Sequence, residues 1–189
     1  YVEFRYLTVN PECQESVSQF LHKCQTVWFE YCTFRRWFTE DYLRDVLMEE
    51  KEESDSSETQ MEPPDLSFLI NPESKIQELR LYRCDFTFLC SHDLLSILII
   101  NKCLTRLDLS FINLQDSGMK LLCEGLRDLG CTLQELRVYD CKATLLCCDD
   151  LCSVITTNQT LTRLEITLDV DEKMVNSQVD HCCEVFLNV

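Results

Sequence analysis

The sequence predicts an α/β solenoid, a short horseshoe arc with parallel strands on its concave face and helices on its convex face. Three observations predict it. IQELRLYRC at residues 76–84 returns as LQELRVYDC at residues 133–141, 57 positions further on. LTRLDLS at 104–110 returns as LTRLEIT at 161–167 with the same spacing. The starts Ile76, Leu104, Leu133 and Leu161 are thus separated by 28, 29 and 28 residues, so two kinds of unit alternate in one array. A period in the twenties marks stacked repeats, each too small to bury its apolar side alone.

Counting offsets from each start, apolar residues stand at 0, 3 and 5: Ile76, Leu79, Leu81; Leu104, Leu107, Leu109; Leu133, Leu136, Val138; Leu161, Leu164, Ile166. This LxxLxL pattern is the leucine-rich repeat signature, a short strand with one inward face. The second half of each unit reads as a helix, with apolar pairs one turn apart at offsets 18 and 22: Leu94 and Leu98, Leu122 and Leu126, Leu151 and Ile155. Asp116 or Ser117 is the expected cap of the middle helix. Asn101 and Asn158, both at offset 25, suit the turn into the next strand.

Upstream, CQTVWFEYCTF at 24–34 lies over IQELRLYRCDF at 76–86, which makes it a divergent repeat. The organisation read along the chain is a divergent N-terminal repeat and transition segment at 1–44, an acidic disordered loop at 45–65, leucine-rich repeats at 66–170 and a degenerate C-terminal cap or tail at 171–189. Between residues 45 and 62 stand eight acids and one lysine, net −7 of the chain's −16. Such a segment buries too little apolar surface to offset its ordering entropy. It reads as a tolerated insertion, or as an acidic docking or phosphorylation site at Ser54, Ser56, Ser57 and Thr59.

Composition excludes several function classes. In 189 residues, 46% apolar content with 10% aromatics supplies a real core. The longest apolar stretch, 94–100, is far short of the roughly 20 residues that span a bilayer, and YVEFRYL carries no signal-peptide pattern. A cytoplasmic protein with no membrane partner is expected, and the sequon at Asn158 is then a coincidence. An acidic chain is repelled by phosphate, which disfavours nucleic acid.

The 14 cysteines fall into register: Cys84 and Cys141 at offset 8, Cys90 and Cys147 at offset 14, Cys123 and Cys152 at offset 19. They behave as small hydrophobes, and reduced core thiols are expected. Cys147, Cys148 and Cys152, and His181, Cys182 and Cys183, lack a second ligand pair at zinc-site spacing, so no metal is assigned. His22, His92 and His181 stand in three separate segments without a nucleophile motif, so no enzyme activity is assigned. GLRDLGCT at 125–132 places Cys131 where a phosphate loop needs lysine. No cofactor follows.

What remains is surface. Strand residues pointing away from the core run Glu78, Arg106, Glu135, Arg163 at offset 2 and Arg80, Asp108, Arg137, Glu165 at offset 4. Signs alternate along both rows, so each charge meets its opposite on the neighbouring strand and the set sums to zero. Tyr82, Phe111 and Tyr139, at offsets 6 and 7, are the candidate contact residues, because rigid aromatics are enriched where partners bind. Arg80, Asp108 and Arg137 complete the candidate set for a protein partner.

The stretch LTRLDLSFINLQDSGMKLLCEGLRDLGCTLQELRVYDC resembles the leucine-rich repeats of the NLRP class of NOD-like receptors, which share alternating 28- and 29-residue units with ribonuclease inhibitor. The resemblance covers 76–167, and more weakly 16–34. Ile112 and Asp169 depart from the asparagine or cysteine expected after the strand. The resemblance implies a cytosolic innate-immune sensor, in some members an oocyte and early-embryo factor. Its repeats would mediate protein interactions and restrain the nucleotide-binding module of a longer parent chain. The alternative is an inhibitor wrapped around a basic enzyme, as ribonuclease inhibitor is.

Overall fold

A computed structural model of the chain describes residues 1–34, 65–169 and 182–188. Its strands and α-helices run β1 (Val2–Arg5), β2 (Thr8–Val9), α1 (Pro11–Leu21), β3 (Thr26–Glu30), β4 (Thr33–Phe34), β5 (Glu78–Tyr82), α2 (Ser91–Ile100), β6 (Arg106–Asp108), α3 (Gln115–Arg127), β7 (Glu135–Val138), α4 (Cys148–Thr157), β8 (Arg163–Asp169) and β9 (Cys182–Asn188). Seven strands make one sheet in the order β1-β3-β5-β6-β7-β8-β9. All pairs are parallel except the last, where β9 runs antiparallel to β8. This is the expected α/β leucine-rich repeat solenoid.

Alternation along each strand explains the sheet. In ELRLY of β5, Leu79 and Leu81 are buried while Glu78, Arg80 and Tyr82 are partly open. The buried leucines stack across strands, Leu79 opposite Leu107, Leu107 opposite Leu136 and Leu136 opposite Leu164. β3 joins in the register read from the sequence, with Val27 opposite Leu79 and Phe29 opposite Leu81. The ladder extends one strand beyond that reading, since Val2 and Phe4 of β1 lie opposite Val27 and Phe29. Alternate repeats differ in their polar stitching as well: the hydroxyls of Thr105 and Thr162 donate to the carbonyls of Gln77 and Gln134 in the preceding repeat, at 3.0 and 3.1 Å.

The two kinds of repeat differ in their helices. Those starting at Ile76 and Leu133 carry a 3₁₀ turn, Phe88–Cys90 or Leu145–Cys147, followed by a 10-residue helix. The repeat starting at Leu104 carries the 13-residue α3. Two glycines let α2 and α3 approach: a Cβ built on Gly118 would stand 2.7 Å from Ser91 Oγ, and one on Gly125 2.8 Å from Leu98 Cδ1. The glycine that opens the false phosphate loop is therefore a packing residue.

Four expectations need correction. Neither Asp116 nor Ser117 caps α3, which starts after Leu114 without a side-chain cap. Asp116 is used between repeats, accepting from the backbone N–H of Thr144 at 2.7 Å and from its hydroxyl at 3.0 Å. Ile155 is 42% exposed although Leu98 and Leu126 at its offset are buried, because among the described residues no further helix stacks beyond α4. Cys152 is exposed for the same reason, while Cys123 at its offset is covered. Asp65, the last residue assigned to the acidic loop, is 8% exposed and accepts from the backbone N–H of Ser67 at 2.8 Å. The rest of that loop, residues 45–64, lies outside the described residues, as do 171–181 and 189 of the C-terminal segment.

The asparagines at offset 25 do make the turns. Asn101 Oδ1 accepts from the N–H of Cys103 at 3.0 Å, and Asn158 Oδ1 accepts from the N–H groups of Thr160 and Leu161 at 2.8 and 2.6 Å. Ile112, which departs from the repeat pattern at offset 8, is buried in the same column as Cys32, Cys84 and Cys141.

Candidate functional site

Because strands from successive repeats pair in register, residues at one offset form a row across the concave face. The rows at offsets 2 and 4 are the alternating charges, and seven of the eight close on one another, Glu135 making no ion pair among the described residues. Arg106 pairs with Glu78 at 3.0 Å, Arg80 with Asp108 at 3.1 Å and Arg137 with Glu165 at 2.9 Å. Arg163 also pairs with Glu165, two residues along the same strand. Asp108 further accepts from the N–H and hydroxyl of Ser110 at 3.1 and 2.6 Å. Burial pulls the carboxyl of Glu165 up, but hydrogen bonds from Tyr139 and Arg163 and the charge of both arginines outweigh it and hold the group below the usual range. Trp28 ends the rows: Arg80 lies over its ring at 4.3 Å and its indole N–H donates to Glu78 at 3.1 Å.

Past the charged rows, at offset 7, the chain turns sharply out of each strand. Tyr6, Tyr31, Arg83, Phe111 and Asp140 hold φ of 54°, 53°, 49°, 62° and 48°. This left-handed region costs a non-glycine residue about 1–2 kcal/mol, yet five successive repeats place a large or charged side chain there. Hydrogen bonds to the next repeat hold four of these turns: Tyr6 N–H donates to Glu30 O at 3.0 Å, Tyr31 to Tyr82 at 3.1 Å, Arg83 to Ser110 at 3.1 Å and Phe111 to Tyr139 at 2.7 Å.

The side chains so presented form a continuous edge. Tyr6 stacks on Tyr31 with centroids 5.0 Å apart, Tyr31 meets Tyr82 edge-on at 6.3 Å, and Tyr82 meets Phe111 edge-on at 5.1 Å. The Arg83 guanidinium lies 4.6 Å from the Phe111 ring and 5.7 Å from each of Tyr31 and Tyr82, and donates to the Tyr31 hydroxyl at 3.0 Å. Tyr6 is 76% and Tyr31 37% exposed.

Of the residues singled out from the sequence, Tyr82 and Phe111 are thus brought together. Tyr139 serves the ladder instead, its hydroxyl donating to Glu165 at 2.7 Å. Arg80, Asp108 and Arg137 are ion-paired within the charged rows. Sequence reasoning missed Tyr6, Tyr31 and Arg83. The signal was present for two of them, since Tyr31 and Arg83 share offset 7 with Phe111 once 24–34 is laid over the repeats.

Most of the thiols are buried in the core, while Cys152 is exposed. The 12 cysteines within residues 1–34 and 65–169 form no disulfide. Burial pushes Cys123 and Cys147 up to about 12 and Cys141 up to about 11, so these groups stay protonated. Cys84 is likewise pushed far up, by its hydrogen bond with Cys32 and by burial. His22 is 7% exposed, with Nε2 3.0 Å from Phe68 O, and burial lowers its pKa. Among the described residues no cluster of three His, Cys, Asp or Glu side chains could hold a metal ion, and no helix is long and apolar enough to cross a membrane.

No protein-family profile matches the chain. Its sequence is similar to NACHT, LRR and PYD domains-containing protein 3 of Mus musculus, 40% identical over 116 residues, which is 61% of this chain and 11% of that protein. Protein 12 of the same series from Mus musculus is 42% identical over 99 residues, and protein 14 from Homo sapiens 39% identical over 97, covering 52% and 51% of this chain. The chain thus spans 9–11% of the length of these relatives. The in-register ladder of 28- and 29-residue units is a leucine-rich repeat array, and its sequence is similar to that of these NLRP proteins.

Proposed function

We propose that the chain is a protein–protein interaction module of an NLRP-type receptor, acting in innate immune recognition by sensing a ligand or by restraining the nucleotide-binding module of a longer parent chain. The contact surface is the offset-7 edge, with Tyr82 between its members. One observation carries this reading: bulky and charged residues occupy a left-handed turn in five successive repeats. Strain of that kind persists where side-chain placement matters more than local stability. Rings already packed on one another lose little rotamer freedom on binding, which favours them as anchors. The charged rows, being neutral in sum and mostly paired, give register to the surface rather than affinity.

The test starts from a photo-crosslinking amino acid placed at Tyr6, which sits at the exposed end of the edge. A partner captured there is then purified and its affinity measured. Replacing Tyr31 and Phe111 together with alanine is expected to weaken it by about thirtyfold or more, the loss of roughly 2 kcal/mol typical of anchor residues. Circular dichroism should be unchanged. Undiminished binding by the folded double variant removes the edge from consideration.

A further inference from the structure

Arg83 stands apart from every other arginine among the described residues. Arg5, Arg80, Arg106, Arg127, Arg137 and Arg163 each have a carboxylate within ion-pair distance. Arg83 has none. Its guanidinium is held instead by aromatic faces on Tyr31, Tyr82 and Phe111 and by one hydrogen bond to the Tyr31 hydroxyl. Asp140, the acid whose charge reaches it, is itself 3.4 Å from Lys142.

We propose that the aromatic edge takes a protein partner through a side-chain carboxylate that closes on Arg83, while apolar neighbours of that acid lie over Tyr31 and Phe111. This rests on the reading of the edge as a contact surface and names the chemistry it selects. A guanidinium carries five N–H donors in a rigid fork, and the hydrogen bond to Tyr31 uses one. The fork matches the two oxygens of a carboxylate, and a fork already oriented by its surroundings loses less freedom when it binds. A dianionic phosphate is matched better by two cations, and here the neighbouring ammonium of Lys142 is already shared with Asp140. The chain's net charge of −16 does not forbid an acidic group at this point, because exposed charges more than about 8–10 Å away are screened at physiological salt.

A phage-displayed library of random peptides panned against the intact chain tests the proposal. Winners are resynthesised with amidated C-termini, so that side chains supply the only carboxylates. The expected winners carry Asp or Glu beside apolar residues. They should lose about tenfold or more in affinity when the acid becomes its amide, and as much against Arg83→Gln, as for a charge-assisted hydrogen bond removed. Arg83→Lys should restore less than half of that loss in free energy, because it keeps the charge without the fork. Winners that need Tyr31 and Phe111 but neither an acid nor Arg83 overturn this inference and leave the interaction reading standing. Peptides insensitive to the Tyr31→Ala/Phe111→Ala variant, or no enrichment at all, overturn both. Two outcomes give the site to another occupant and also overturn the proposal: phosphoserine peptides that bind about tenfold tighter than their glutamate forms, or self-association of the chain in sedimentation that Arg83→Gln abolishes.

Discussion

Two rows of the same repeats, three residues apart, treat charge in opposite ways. At offset 4, Arg80, Asp108, Arg137 and Glu165 find one another across neighbouring strands, and Glu165 is drawn in until it is 7% exposed. At offset 7 the chain has already turned, and Arg83 is surrounded by rings, with no carboxylate of the described residues within ion-pair distance. The first row is saturated by its own members. The second keeps donors and aromatic faces open at the cost of left-handed backbone. A regular array can thus carry register and recognition side by side, because the row in which a residue falls decides which neighbours it meets.

Both rows hang on one spine, so cutting the spine should damage both. Leu136 is fully buried and lies between Leu107 and Leu164. Leu136→Ala is expected to cost about 2–5 kcal/mol, the range for a buried leucine replaced in a close-packed core. Urea unfolding followed by circular dichroism measures it. A loss below about 1 kcal/mol would mean that the repeats do not share one continuous core.

A smaller effect separates the rows. Tyr139 was grouped with Tyr82 and Phe111 by offset, but its hydroxyl serves Glu165. Tyr139→Phe should destabilise the chain by about 1–1.5 kcal/mol at neutral pH, as for one hydrogen bond to a charged group, and leave partner binding at the edge intact. The pH dependence has a definite sign. Glu165 titrates below its ordinary value in the folded chain, so its contribution is complete above the ordinary carboxylate pKa and is lost as pH falls through the lowered one. The gap between wild type and Tyr139→Phe should therefore close in acid. A gap that stays constant down to the acid limb would show that the phenol contributes by packing alone.

The period of the sequence made the strands, their register and the ion pairs legible, because LxxLxL fixes which residues face the core and identical spacing fixes who stands beside whom. Environment at the ends was less legible. Ile155 and Cys152 occupy core offsets, but burial there depends on a following helix, which no residue within the repeat encodes. β1 was missed because VEFR is too short to show a period and lacks leucine. Asp116 looked like a helix cap because its own neighbours suggested one, whereas its partner Thr144 lies 28 residues away. The candidate site was half legible. Tyr82 and Phe111 were found as aromatics near the strand ends, while Arg83 was passed over because nothing announces a left-handed turn in a chain with 3 glycines, none of them at offset 7.

That missing glycine gives the finest test of the comparison. At φ 49° alanine bears the left-handed penalty and glycine does not, whereas glycine has the larger unfolded-state entropy to lose. The first term exceeds the second, so Arg83→Gly should be more stable than Arg83→Ala by about 0.5–1 kcal/mol. Both variants lack the guanidinium, so the difference isolates the backbone. At Arg80, one strand position inside the charged row and outside the set of left-handed residues, the order should reverse, with alanine the more stable. Parallel urea melts of the four variants read both differences. If glycine is no better than alanine at position 83, the turn is relaxed, and the edge presents its side chains without having traded backbone stability for their placement.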